Sequence, residues 1–445
     1  MTETKQTVAG AVMRGHSIDL RGSTWQVFRI MAEFVEGYQF LSQLTKQVTV
    51  FGSARTPSSS KFYKIAESLG QQLAAEKYTV ITGGGPGVME AANKGAYQHG
   101  GTSVGLNIEL PHEQHLNPFV QHSLGFYYFL TRKVMLTTPS LAFVYMPGGF
   151  GTMDELFEVL DQMRYGQISR APIILIDKTY WEPVIHFLRS NVFERIHALQ
   201  EIDLSMIHAV DTAEEGMEII RKTKTKPQVC AMDAAQFCSD DAVNWRVFRI
   251  MAELVEGFAF LEGMGPVITI LGTPRVNPDS QYCKDAYVLG QMIAKKKVGV
   301  LTAGGGGVHE AANKGAFEMG RGSYGMDMHM QVSGEHERAN PYLTKSHSFA
   351  FPFTRKLMLT TPSRGFVLFP GGYGTLNLCF EILTLIQTGK LAGIPIVLYG
   401  GEFWRPLLKF IQENQFEQEH NISKEDLNLY HIADTPAEVM KILGL

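Results

Sequence analysis

The chain has 445 residues, 45% hydrophobic and 19% charged, with a formal net charge of −4. A chain of this size and apolarity buries two or three sizeable cores, and its mild acidity argues against a broad nucleic-acid-binding surface. No apolar run approaches the roughly 20 residues of a membrane span, and the polar residues 1–24 lack the apolar core of a signal peptide. That segment is expected to be flexible. The four cysteines, Cys230, Cys238, Cys283 and Cys379, show neither CxxC nor zinc spacing. They read as reduced thiols of a cytoplasmic protein.

In chain order, an amphipathic helix is expected over 25–44 and a strand over 48–51, ending in Gly52-Ser53-Ala54-Arg55. A helix over 61–76 precedes a strand over 78–82, which runs into Gly83-Gly84-Gly85-Pro86-Gly87 and another helix. A strand over 103–107 opens a long loop rich in Pro, His and Asn. A helix carrying Arg132 follows, then the apolar run 141–146 and Pro147-Gly148-Gly149-Phe150-Gly151-Thr152-Met153-Asp154-Glu155. The next helix places Leu156, Val159, Leu160 and Met163 on one face, and a last strand over 172–177 leads to a helix near Trp181. Alternating strands and helices, with glycines at strand ends, predict an α/β fold: a doubly wound, Rossmann-like parallel sheet. Ligands lie at the C-terminal ends of such strands, so Ser53, Gly84, Arg132 and Gly148 are expected to converge.

The chain repeats itself. Trp25-Gln-Val-Phe-Arg-Ile-Met-Ala-Glu returns at Trp245, an offset of 245 − 25 = 220. Thr131-Arg-Lys-Val-Met-Leu-Thr-Thr-Pro-Ser returns at Thr354, an offset of 354 − 131 = 223. Two tandem domains are therefore expected, over 25–222 and 244–445, joined by a polar linker over 223–243.

Strand, glycine turn and helix together aim backbone N–H groups and a helix N-terminus at an anion. Glycines let that backbone approach a ligand closely. Thr152 stands where an N-cap belongs and Glu155 three residues on, a spacing that also suits a capping box. The Gly83–Gly87 loop is not G-x-G-x-x-G, Asn107 rather than an acid ends the next strand, and there is no G-K-[ST] motif. A dinucleotide cofactor is thus weakly supported, and a phosphate loop of that kind is absent from the sequence.

Phe51-Gly-Ser-Ala-Arg55, Gly83-Gly-Gly-Pro-Gly-Val-Met-Glu-Ala-Ala-Asn93, Gly105-Leu-Asn-Ile-Glu-Leu-Pro-His-Glu-Gln114, Arg132-Lys-Val-Met135 and Pro147 to Glu155 together resemble the LOG ("Lonely Guy") family. That family is often labelled lysine-decarboxylase-like. The motifs come in the family's order and cover nearly all of the first half. The resemblance implies hydrolysis of the N-glycosidic bond of nucleoside 5′-monophosphates, such as AMP or cytokinin ribotides, to free base and ribose 5-phosphate. It carries the family's essential Arg and Glu onto Arg132 and Glu155, and implies no cofactor. The phosphate is expected on Gly148, Gly149, Gly151 and Thr152, helped by Ser53, Gly84 and Gly85. Met89, Asn107, Glu109 and Lys133 complete the expected substrate site, with Glu113, Gln114 and Asn117 in the loop over the base. His112, His115 and His122 match no zinc spacing, so no metal is expected.

The second half keeps Arg355 and a nest of Gly371, Gly372, Gly374 and Thr375. It replaces Glu155 by Leu378, Gly83 by Ala303 and Met89 by His309. Family members usually pair identical subunits, which implies an intramolecular pseudo-dimer with one working half, and possible higher homo-oligomers. A non-catalytic nucleotide or cofactor carrier is the alternative. A third reading takes the decarboxylase label literally and needs a lysine for pyridoxal phosphate, for which Lys133 and Lys356 are available.

Overall fold

The computed structural model describes residues 23–109, 116–223, 240–328 and 339–445. In the first half α1 (Ser23–Ser42) leads to β1 (Gln47–Phe51), α2 (Lys61–Ala75), β2 (Thr79–Thr82), α3 (Val88–Gln98), β3 (Ser103–Ile108), β4 (His122–Phe126) and α4 (Phe129–Thr137). Next come β5 (Ala142–Tyr145), α5 (Phe150–Arg164), β6 (Ile173–Ile176), α6 (Lys178–Phe187), α7 (Glu201–Leu204), β7 (Ile207–Val210) and α8 (Ala213–Lys222). The second half repeats the plan with α9 (Asp240–Leu261), β8 (Val267–Leu271), α10 (Gln281–Lys295), β9 (Gly299–Thr302), α11 (Val308–Glu318), β10 (Ser323–Met328) and β11 (Lys345–Phe349). It closes with α12 (Pro352–Thr360), β12 (Ser363–Leu368), α13 (Tyr373–Gln387), β13 (Ile396–Tyr399), α14 (Gly401–Phe410), β14 (His431–Ala433) and α15 (Pro436–Leu443).

Each half holds a parallel seven-stranded sheet, in the orders β4-β3-β2-β1-β5-β6-β7 and β11-β10-β9-β8-β12-β13-β14. The order in which strands are added reverses between β1 and β5, which pair in parallel from Val48 with Ala142 to Phe51 with Tyr145. The crevice at that switch point is where a ligand belongs. The sequence reading left out β4 and β7. Both are edge strands, and most of their residues are exposed or half-buried, so the apolar run that marks an inner strand is missing. Of the expected linker, 224–239 lie outside the described residues, and α9 already begins at Asp240.

The repeated Met-Ala-Glu has a structural purpose. The Glu33 carboxylate accepts the backbone N–H of Tyr127 at 3.0 Å and of Tyr128 at 3.3 Å, and also the Thr131 hydroxyl. It satisfies the orphan donors that open α4, the helix carrying Arg132. Glu253 does the same for Ala350, Phe351 and Thr354 ahead of Arg355.

The halves share one continuous core. Helices α5 and α13 lie against each other, with the Phe157 and Phe380 rings stacked at 5.4 Å, and Phe34 of α1 meets Phe353 of α12 at 5.9 Å. A buried charge cluster crosses the same seam. Lys133 pairs with Asp154 at 2.5 Å, while Lys356 pairs with Glu158 of the other half and with Glu381 at 2.6 Å. Among the described residues, no helix is long and apolar enough to cross a membrane.

Candidate functional site

The ends of β1 and β5 are tied together at the switch point. Met146 N–H donates to the Phe51 carbonyl at 2.9 Å and Ser53 N–H to the Pro147 carbonyl at 3.1 Å. Beyond them opens a cleft of about 700 Å³, lined by Ser53, Met89, Arg132, Gly149, Gly151, Thr152 and Glu155 among the expected residues. This volume lies within the usual range for small-molecule sites.

The structure corrects the helix start. Gly149 is the N-cap of α5 and there is no side-chain cap, so Thr152 already lies in the first turn and no capping box forms. Thr152 N–H donates to the Gly149 carbonyl at 3.1 Å. Glu155 is therefore not spent on the helix end. It is 8% exposed, and its Oε2 makes no hydrogen bond among the described residues. Burial pushes its carboxyl above the ordinary range, against the pull of Lys133 and Arg132.

Arg132 is half-buried at the wall of the cleft, and its Nε donates to the Leu106 carbonyl at 2.8 Å. Burial lowers its pKa, while Glu155 and Asp154 oppose that. The room for its guanidinium comes from Gly83. A Cβ there would lie 2.4 Å from Arg132 Nη2 and 2.8 Å from the Met89 sulfur.

Several expected contacts are used elsewhere. Gly84 N–H donates to the Thr82 hydroxyl at 2.9 Å, and the Gly84 and Gly85 carbonyls accept from Asn117 at 3.1 and 3.0 Å. Gly84 and Gly85 thus hold the neighbouring loop, and of this loop's glycines Gly83 alone lines the cleft. The Gly148 carbonyl accepts from Tyr180 at 2.7 Å and from Gln415 of the second half at 2.9 Å, and Gly148 N–H donates to the Tyr180 hydroxyl at 3.3 Å. Gly148 must be glycine because a Cβ would lie 2.0 Å from Thr152 Oγ1. Lys133 belongs to the charge cluster instead of the cleft. Asn107 on β3 and Glu109 do not line the cleft; the Glu109 carbonyl accepts from Lys390 at 3.2 Å. His112, Glu113, Gln114 and His115 fall outside the described residues, and His122 is exposed on β4.

Sequence reasoning missed the far wall. Thr384, Gln387, Thr388, Gly389, Lys390 and Asn421, all from the second half, line the first cleft. The repeat offset held the clue: 384 − 223 = 161 and 421 − 223 = 198, so these positions match Asp161 and Ala198. Both of those line the counterpart cavity in the second half, with Arg355, Gly372, Gly374 and Thr375. That cavity measures only about 70 Å³. It is below the roughly 300 Å³ at which ligand pockets begin, which leaves too little room for a nucleotide on the second nest. Ala303 and His309 occupy the places of Gly83 and Met89. Burial and Arg355 push His309 down to about 3, so it is a neutral ring, and its Nε2 accepts Gly272 N–H at 3.2 Å.

The two lysines do not suit an aldimine. Burial alone would lower Lys133 and Lys356, but the carboxylates around them raise both above the ordinary value and hold them as ammonium ions. Pyridoxal chemistry needs a lysine that gives up its proton.

A family model described as "Possible lysine decarboxylase" matches residues 89–220 and again 309–443, together more than half of the chain. The cytokinin riboside 5′-monophosphate phosphoribohydrolase of Rhodococcoides fascians is 30% identical over 154 residues, covering 34% of this chain and 77% of that protein. A probable enzyme of the same name from Oryza sativa subsp. japonica is 29% identical over 157 residues, covering 34% of this chain and 61% of its own length. Among solved structures, the molybdenum cofactor binding protein from the phototrophic bacterium Rippkaea orientalis is 20% identical. It covers 41% of this chain and 98% of its own, with a TM-score of 0.32.

Proposed function

This chain belongs to the possible lysine decarboxylase family, the LOG family, and on that footing we propose that its first half hydrolyses the N-glycosidic bond of nucleoside 5′-monophosphates. One observation carries the reading: a buried carboxylate, Glu155, with an unpartnered oxygen beside half-buried Arg132, in a cleft that opens on a helix N-terminus. The 5′-phosphate rests on the first turn of α5, at Gly149, Gly151 and Thr152. The bond from C1′ to the base nitrogen breaks, and its electron pair leaves with the base. Positive charge builds on the ribose, and Glu155 faces that charge as a carboxylate. Water adds its oxygen to C1′ and its proton ends on the departing base, giving free base and ribose 5-phosphate. Arg132 positions the sugar phosphate. The two halves act as an internal pair, the second supplying the wall opposite Glu155.

The test is incubation of the full chain with a panel of nucleoside monophosphates, followed by detection of free base. Release from at least one nucleotide, with adenosine a far poorer substrate than AMP, is the expected outcome. Tight binding of nucleotides with no release of base from any of them would favour a carrier.

A further inference from the structure

The two nests are superposable in sequence but not in what lies over them. A methyl group built on Gly151 would meet nothing within 4 Å, whereas one on Gly374, its repeat partner, would meet the Asp161 carboxylate at 3.3 Å. Asp161 comes from the first half, is 3% exposed, and accepts from Asn377 Nδ2 at 3.4 Å. Arg355 and Lys356 are cations acting on it. A carboxylate thus sits at the N-terminus of α13, with the arginine of that half beside it. This is the arrangement that a helix start and an arginine offer to any anion.

In the first cleft the residue at the Asp161 position is Thr384, by 384 − 161 = 223. Its hydroxyl is buried, with the residue 5% exposed, and makes no hydrogen bond among the described residues, although it lines the cleft. A buried hydroxyl without a partner is costly unless a ligand supplies one.

We propose that the second nest is an anion site filled by the protein's own Asp161, and that Thr384 is the residue that leaves the first nest vacant and donates to the anion arriving there. One position of the repeat then decides whether a nest binds a ligand or locks the two halves together. The inference shares with the proposed function only the premise that the ligand carries an anionic group.

The experiment measures binding of orthophosphate and AMP to the full chain by calorimetry, with adenosine as the uncharged control. Thr384→Asp places in the first cleft the charge that fills the second, and Thr384→Asn adds similar bulk without it. The expected result is a loss of phosphate and AMP affinity on the order of a hundredfold or more for Thr384→Asp, and within about tenfold for Thr384→Asn. Equal losses in the two variants, unchanged affinity in Thr384→Asp, or no binding of either anion to the wild type would each overturn the proposal. If the Asp variant does not fold, Thr384→Val decides: it should weaken phosphate about tenfold and leave adenosine unaffected, and unchanged phosphate affinity would overturn the idea. Wild-type protein that binds orthophosphate but releases no base from any nucleotide would sink the hydrolase reading and leave this one standing.

Discussion

The first cleft measures about 700 Å³ and its counterpart about 70 Å³, although both stand at the switch point of the same sheet and carry the same Pro-Gly-Gly-x-Gly-Thr turn. The backbone does not differ: Gly149 and Gly372, the two N-caps, have φ, ψ of −87°, −152° and −88°, −157°. Side chains from the opposite half differ. Asp161, Arg164 and Tyr165 fill one cavity, where Thr384, Gln387 and Thr388 leave the other open. Inside each half, Glu155 faces open space and Leu378 is packed away at 1% exposure. A duplicated scaffold keeps its geometry while a handful of side chains at the seam decide which copy is hollow.

The comparison breaks first at the charge cluster that joins the halves. Lys356→Met leaves Glu158 and Glu381 short of their cation, and removing one partner of a buried pair costs about 3–5 kcal/mol. Denaturant unfolding should show that loss in a transition shared by both halves. A change below about 1 kcal/mol would mean that Lys133 alone compensates Glu158.

Asp161 gives a smaller effect with a defined sign. Burial raises its carboxyl from 3.8 to about 6, against Arg355 and Lys356. Between those values the folded chain holds more protons than the unfolded one, so stability falls as pH rises through that window. The full fall is roughly 3 kcal/mol. Asp161→Asn, which cannot titrate, should lack it. The check is the difference in unfolding free energy between wild type and variant from about pH 4 to pH 6.

Glu155→Gln keeps shape and removes charge. Turnover should drop on the order of a hundredfold or more, about 2.7 kcal/mol, as for loss of one electrostatic stabiliser. Because no capping bond is lost, the melting temperature should stay the same or rise, since burial disfavours the ionised form. A variant of near-full activity would show that Glu155 faces the cleft without taking part.

Much of this was legible in the residues. The inner strands, the glycine turns and the repeat follow from periodicity and motif order, and the resemblance to the LOG family singled out Arg132 and Glu155 together. What escaped had physical reasons. Strands β4 and β7 carry too little apolar pattern to announce themselves. Thr152 reads as a cap because its hydroxyl suits one, but the N-cap lies three residues earlier, at Gly149. Lys133, next to Arg132 in sequence, turns to Asp154 because consecutive helical residues face different ways. The far wall came from residues more than two hundred positions away, visible only by comparing the repeats position by position.

The central claim, that one cleft works and the other is plugged, is tested most directly by the two repeat-related arginines. Release of free base from the preferred nucleotide should be measured for Arg132→Ala and Arg355→Ala side by side, per mole of folded protein. The account predicts that Arg132→Ala loses turnover by about a hundredfold or more, whereas Arg355→Ala, though less stable, keeps it within a few-fold. An Arg355→Ala protein that is folded but as inactive as Arg132→Ala would contradict it.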